Sequence, residues 1–327
     1  MNPAERPIPE PANLTDHHFV SVAGGVSVAG VRRTFGPVVA VDDMTFSAPP
    51  GTVTALVGPN GSGKTTLMLM LASLLRPDAG QIRVAGHDPV TEPTEVRRRL
   101  GWMPDTFGSY DNLTSREALE FFAAAHRLPR AARASRTREL LALVHLEEFA
   151  DAPVHVLSRG QKQRLGMARA IVHSPDVLLL DEPASGLDPR SRVDLRVLLR
   201  TLAGAGAAVL VSSHILSELE EMADRAVFVA GGHTLSERTL GELRSAEVLG
   251  PWRIRALDTD RLLSALRQYG VDFDARDASG VQVMLRGDAE AAELLASLMR
   301  DGVPVASIAP VGGALENAYL RLTEERR

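Results

Sequence analysis

Eight residues have the types and spacing of a phosphate cradle. Gly58-Pro59-Asn60-Gly61-Ser62-Gly63-Lys64-Thr65 fits G-x-x-x-x-G-K-[ST], with Thr66 directly after it. Glycines at these positions let the backbone curl so that successive N–H groups point inward at phosphate oxygens, with the positive end of a helix behind them. Lys64 extends a slim ammonium toward the β- and γ-phosphates, where a planar guanidinium is too bulky. The Thr65 hydroxyl is offered to Mg2+. The flanks suit this chemistry: TVTALVG reads as a buried strand and KTTLMLMLASLL as a helix, stopped by Arg76-Pro77-Asp78-Ala79-Gly80.

A second cluster lies in VLLLDEP at 177–183, a short apolar run ending in acids, as expected of a central parallel strand buried on both faces. Asp181, at the strand end, is the candidate to hold Mg2+, as in P-loop nucleotide hydrolases. Glu182, one residue on, is placed to polarise a water in line with the γ-phosphate. Taken without the cradle, the same pair reads as a solvated strand end or a helix cap. AAVLVSSH at 207–214 resembles a second buried strand, ending at His214.

The elements that must position these groups begin at Val26, where short β-rich runs suggest a small sheet feeding the buried strand. Residues from about 92 to 170 read mostly as helices. Beyond about residue 240 the pattern becomes β-α-β-β-α-β-α, an independent small α+β domain. The expected organisation is a flexible Pro-rich tail at 1–22, an α/β nucleotide-binding domain at 23–240 and the small domain at 245–327.

Composition narrows the partners. The 36 basic side chains are 34 Arg and only Lys64 and Lys162, against 41 Asp plus Glu, for a net charge of −5. That balance argues against a chain built to coat nucleic acid. The absence of Cys excludes a disulfide scaffold and any thiolate metal site. No apolar run approaches the roughly 20 residues needed to span a bilayer, so work at a membrane calls for a partner. Arg127, Arg130, Arg133 and Arg136 recur at spacing three, favouring a solvated helix face over contact with a transporter or lipid headgroups.

With these motifs in hand, the chain resembles the ATP-binding subunit of ABC transporters over about residues 26 to 240. Leu157-Ser158-Arg159-Gly160-Gln161 is similar to the LSGGQ signature with Arg in place of its first glycine, about 24 residues before Asp181. The resemblance implies a P-loop hydrolase core with antiparallel β and helical subdomains. It also implies ATP and Mg2+ as cofactors and a head-to-tail dimer with a second copy or a homologous subunit. Ser158, Gly160 and Gln161 then serve the γ-phosphate of ATP held by the other copy. Ser185-Gly186-Leu187-Asp188 is similar to the D-loop, which communicates across that dimer. His214 takes the switch-histidine position beside the γ-phosphate, and Phe35 takes the place of the aromatic that stacks on adenine. The family's Gln that contacts Mg2+ is missing: no Gln lies between Gln81 and Gln161, and Asp105, after Leu100-Gly101-Trp102-Met103-Pro104, takes its position. Asp105 there is either a Mg2+ ligand that adds negative charge beside the phosphates or a turn residue.

The ending GGALENAYLRLTEERR and the segment Pro104, Asp105, Phe107, Gly108, Tyr110 resemble type-two ABC exporters. They imply a separately encoded membrane permease, with the chain peripheral on the cytoplasmic face of the membrane. Two other functions compete. Non-transport ABC ATPases acting on chromosomes carry long coiled coils between P-loop and signature, whereas under 100 residues separate Lys64 from Ser158 here; those acting on ribosomes usually carry two such domains, and this chain has one P-loop. A nucleotide-dependent regulatory module without turnover is disfavoured by Glu182 and His214.

Overall fold

A computed structural model describes residues 24–106, 108, 112–245, 249–277 and 280–324. The expected tail at 1–22, and Phe107 and Tyr110 of the exporter-like segment, lie outside the described residues. The chain divides into two compact units, Met1–Glu237 and Arg238–Arg327.

In the first unit, β1 (Val26–Phe35) and β2 (Val38–Ala48) pair antiparallel, and β4 (Ala79–Val84) lines the other side of β1. A six-stranded sheet takes the order β5-β6-β7-β3-β8-β9, with β3 (Val53–Val57), β5 (Leu100–Met103), β6 (Val177–Asp181), β7 (Ala208–Ser212), β8 (Arg225–Ala230) and β9 (His233–Thr239). From β5 to β8 every pairing is parallel. All residues of β3, β6 and β7 are buried, which is why these strands read as mostly apolar runs instead of alternating ones. Each Leu or Val so buried contributes about 1.5–3 kcal/mol by leaving water.

The helices of this unit are α1 (Lys64–Leu71), α2 (Pro93–Arg99), α3 (Ser115–Ala125), α4 (Arg130–Leu143), α5 (Arg159–Ala170), α6 (Pro189–Gly204) and α7 (Leu216–Met222). The first ends earlier than its apolar run predicts. Ser73 turns left-handed at φ 58°, and the N–H groups of Leu74 and Leu75 both reach back to Leu69 O at 2.9 and 3.1 Å. That is a helix-closing wrap normally built on glycine. Arg136 also departs from its expected solvated face. Its guanidinium bonds Ile171 O at 2.8 Å, Val172 O at 3.1 Å and Glu139 at 2.6 Å, so it caps carbonyls at the end of α5 instead of facing water.

A stacked imidazole pair lies between α3 and the end of α5. His126 and His173 have ring centroids 3.6 Å apart with planes 6° from parallel, and His173 Nε2 lies 3.1 Å from Leu100 O. Burial, then the neighbouring His126, push the His173 imidazole down to about 3. The unfolded chain, with a histidine near 6.5, therefore binds the extra proton first as pH falls. This contribution to stability is complete above about pH 6.5 and is lost between there and about 3, at roughly 1.4 kcal/mol per pH unit. We expect His173→Phe to flatten the fall of the thermal midpoint between pH 7 and pH 5. An unchanged slope in the variant would remove His173 as its source.

The second unit opens with α8 (Leu240–Ser245) and continues as β10 (Leu249–Ala256), α9 (Thr259–Gln268), β11 (Phe273–Asp277), β12 (Gly280–Arg286), α10 (Gly287–Arg300), β13 (Val305–Pro310) and α11 (Ala314–Glu324). Its sheet has the order β11-β12-β10-β13 with every pairing antiparallel, the split β-α-β arrangement of ferredoxin-like domains. Trp252, Ile254, Val281 and Val283 from the sheet meet Leu262, Leu266, Leu294 and Leu298 from the helices in one core.

Candidate active site

Parallel register gathers the candidate chemistry at one edge of the six-stranded sheet. Leu56 pairs with Ser212, Ser212 with Asp181, and Leu180 with Met103. The segments leaving these strands therefore emerge side by side at their carboxyl ends: Gly58 to Gly63, Pro104-Asp105, Glu182 and Ser213-His214. Open α/β sheets bind ligands at that edge.

The cradle requires its glycines. A Cβ on Gly58 would stand 2.3 Å from Val229 O, and one on Gly63, at φ 95°, would stand 2.4 Å from Ala40 O. Pro59, Asn60 and Gly61 are exposed along the loop, whereas Ser62 is buried with a hydroxyl that has no protein partner. Lys64 is only 8% exposed. Its ammonium spans the loop, donating to Gly58 O at 2.7 Å and Pro59 O at 2.9 Å. Burial lowers its pKa, opposed by the negative charges of Glu182 and Asp181.

Thr65 Oγ1 donates to Asp181 Oδ2 at 2.9 Å, and Ser212 Oγ donates to Asp181 Oδ1 at 2.5 Å. The Asp181 carboxylate is thereby oriented from two elements, beside the Thr65 hydroxyl. Hard oxygens of this kind suit Mg2+, which takes one or two carboxylates together with substrate phosphates. No cluster of three or more His, Cys, Asp or Glu able to cage a metal occurs among the described residues. Glu182 approaches His214, with Oε2 2.8 Å from Nδ1. An ionised carboxylate only accepts, so Nδ1 carries the proton of that bond. Glu182 adopts a left-handed backbone at φ 53°, uncommon for a residue with a side chain.

The structure thus brings together Lys64, Thr65, Asp181, Glu182 and His214. Thr66, half-buried, follows Thr65 on α1. Asp105 is exposed just beyond β5. Phe35 is 46% exposed at the end of β1, with the Arg33 guanidinium 4.8 Å from its ring centroid. Ser158 caps α5 reciprocally with Gln161: Gln161 N donates to Ser158 Oγ at 3.2 Å and Ser158 N to Gln161 Oε1 at 2.8 Å. Gly160 follows within the first turn. Asp188 caps α6 by accepting from Ser191 N and Ser191 Oγ, bonds that hold its carboxyl below the usual range.

Ser212 and Gln163 contribute to the site without having been singled out in the sequence. Ser212 ends a buried strand two residues before His214, a position where a polar side chain signals a site edge. Gln163, buried on α5, donates from Nε2 to Glu182 O at 2.8 Å. Helical spacing alone marks it only as an inward-facing polar residue.

The chain is similar to several known proteins. Residues 41–185 match the ABC transporter family model. The daunorubicin/doxorubicin resistance ATP-binding protein DrrA of Streptomyces peucetius is 34% identical over 91% of this chain and 92% of its own length. A Nod factor export ATP-binding protein I from Ralstonia nicotianae is 35% identical over 68% of this chain and 70% of its own. Among solved structures, an ATP-binding subunit of an ABC transporter superposes with a TM-score of 0.64 at 27% identity, covering 84% of this chain and 99% of that one. An ATP-binding cassette solved as a dimer in a post-hydrolysis state with ADP and Pi superposes at 0.61 and 25% identity, covering 66% of this chain and 98% of the other.

Proposed function

This chain belongs to the ATP-binding subunits of ABC transporters and is an ATPase of that family, and from that premise we propose that it powers export through a separately encoded permease. The observation that carries the reading is the Glu182–His214 pair, set one residue beyond the Asp181 carboxylate that Thr65 engages. The cradle amides and Lys64 hold the phosphates of ATP. Glu182 accepts a proton from the attacking water, and the Nδ1–H of His214 fixes the carboxylate that does so. Thr65 and Asp181 would hold Mg2+, which neutralises phosphate charge when bound.

The start of α5, with Ser158 exposed and Gly160 half-buried beside it, suits contact with the γ-phosphate of ATP carried by a second copy, in a head-to-tail dimer. Phe35, exposed and apolar, offers a face for adenine. Relatives named for drug resistance and for Nod factor export support the outward direction. No helix among the described residues is long and apolar enough to cross a membrane; membership of the family supports a peripheral subunit on the cytoplasmic face with the permease as partner. Co-purification of a membrane permease with the tagged chain, together with permease-stimulated ATP hydrolysis, tests the reading. Basal hydrolysis without any stimulating membrane partner would overturn the transport half.

Asp105 differs from the family's Gln and is proposed to tune this site. Asp105→Gln removes one negative charge at the edge where the phosphates bind. The Mg2+ concentration for half-maximal hydrolysis, or the permease stimulation, is expected to shift by about threefold or more, on the order of 1 kcal/mol. No change in either would leave Asp105 a turn residue.

A further inference from the structure

We propose that Gln163 is a positioning residue for the general base: from inside α5 it holds the backbone that carries Glu182, and so links the surface presented to the second copy with hydrolysis in its own cradle. The proposal rests on the reading of Glu182 as the base. Glu182 hangs from a backbone fixed on both sides. Its N–H donates to Ser212 O at 3.0 Å, and its C=O accepts from Ser185 N at 3.1 Å and from Gln163 Nε2 at 2.8 Å. The last bond matters because Glu182 occupies the left-handed region at φ 53°. A residue with a side chain stays there only where its surroundings over-determine it. Gln163, 5% exposed, adds a side-chain hold to the turn bond from Ser185 N, and it comes from outside the sheet.

The same helix grips the segment again one turn earlier. Arg159, four residues before Gln163 and therefore on the same face, donates from Nη2 to Ser185 Oγ at 2.6 Å. Its stem lies over Gly186, where an added Cβ would stand 2.9 Å from Arg159 Cδ, and a Cβ on Gly160 would stand 3.0 Å from Gly186 O. One rigid helix thus touches residues 182, 185 and 186, while its first turn exposes Ser158. A displacement of that turn is carried along α5 to the carbonyl of the base. Arg159, standing where the signature has glycine, adds a contact that glycine cannot make.

The test uses the full chain. Gln163→Met keeps the volume and removes the donor; Gln163→Glu keeps the shape and donates only while protonated. We expect Gln163→Met to lower kcat at least tenfold with the Kd for ATP changed less than twofold, which a general loss of structure would not produce. In single-turnover hydrolysis, the same substitution should add less than twofold to the loss caused by Glu182→Gln, because both act through one group. Gln163→Glu should lose activity relative to the unmodified chain as pH rises and its carboxyl ionises. Normal kcat in both variants, or losses that multiply in the double variant, would overturn the positioning role while leaving the base intact. Near-normal turnover in Glu182→Gln alone would overturn the base assignment and this inference with it.

Discussion

Glu182→Gln should bind ATP with near-native affinity and hydrolyse it at least 100-fold more slowly. A positioned general base contributes about 10²–10⁴ in rate, and this substitution removes little else. The amide has the shape of the carboxylate, so its oxygen still accepts from His214 Nδ1, now 2.8 Å from Glu182 Oε2. The backbone bonds of residue 182, to Ser212 O and from Ser185 N and Gln163 Nε2, do not involve its side chain. Lys64 and the cradle are untouched, so the ground-state contacts to phosphate persist. With binding kept and turnover stopped, the ATP-bound dimer of the proposed cycle should accumulate. Nucleotide binding, hydrolysis rate and light-scattering mass with ATP and Mg2+ check the three parts separately. Near-normal turnover would remove Glu182 from the mechanism.

Much of this site was legible because its parts are local. The cradle, the apolar run of β6 with its terminal acids, and the strand ending at His214 are each contiguous, and burial on both sheet faces keeps the strands almost wholly apolar up to their carboxyl ends. The β-α-β-β-α-β-α order of the second unit was equally plain, because α9 buries Leu262, Leu263, Ala265 and Leu266 at helical spacing between alternating strands. What stayed hidden depends on distant pairing. Asp181 meets Ser212 across 31 residues and Glu182 meets Gln163 across 19, through sheet register and helix placement that no local pattern encodes. The early end of α1 was hidden for another reason: Ser73 supplies the left-handed turn that a glycine would have announced. Arg136 misled through periodicity, since spacing of three marks a helical face but not whether carbonyls at the end of α5 lie against it.

Only two positions of this Arg-rich chain carry lysine, and their surroundings differ. Lys162 is half-buried, with a 3.4 Å approach to His155 O. Lys64 is buried between carbonyls at 2.7 and 2.9 Å, an arrangement that suits a compact ammonium better than a planar fork. Lys64→Ala should therefore weaken ATP binding by tenfold or more, since one hydrogen bond to a charged group is worth about 1.5–3 kcal/mol. Lys64→Arg should rescue little of it despite keeping the charge. Folding should suffer less than binding in the alanine variant, because Asp181 keeps its bonds from Thr65 and Ser212 and is not left unpaired. The clearest measurement is the rise in thermal midpoint on adding ATP, which reports binding to the folded chain. It should collapse in both variants while the nucleotide-free midpoint of Lys64→Ala stays near that of the unmodified chain. An undiminished ATP-induced rise in Lys64→Ala would show that the backbone amides hold the phosphates unaided. Full rescue by Lys64→Arg would show that the site asks only for charge, and the steric reason for keeping a lysine there would fall.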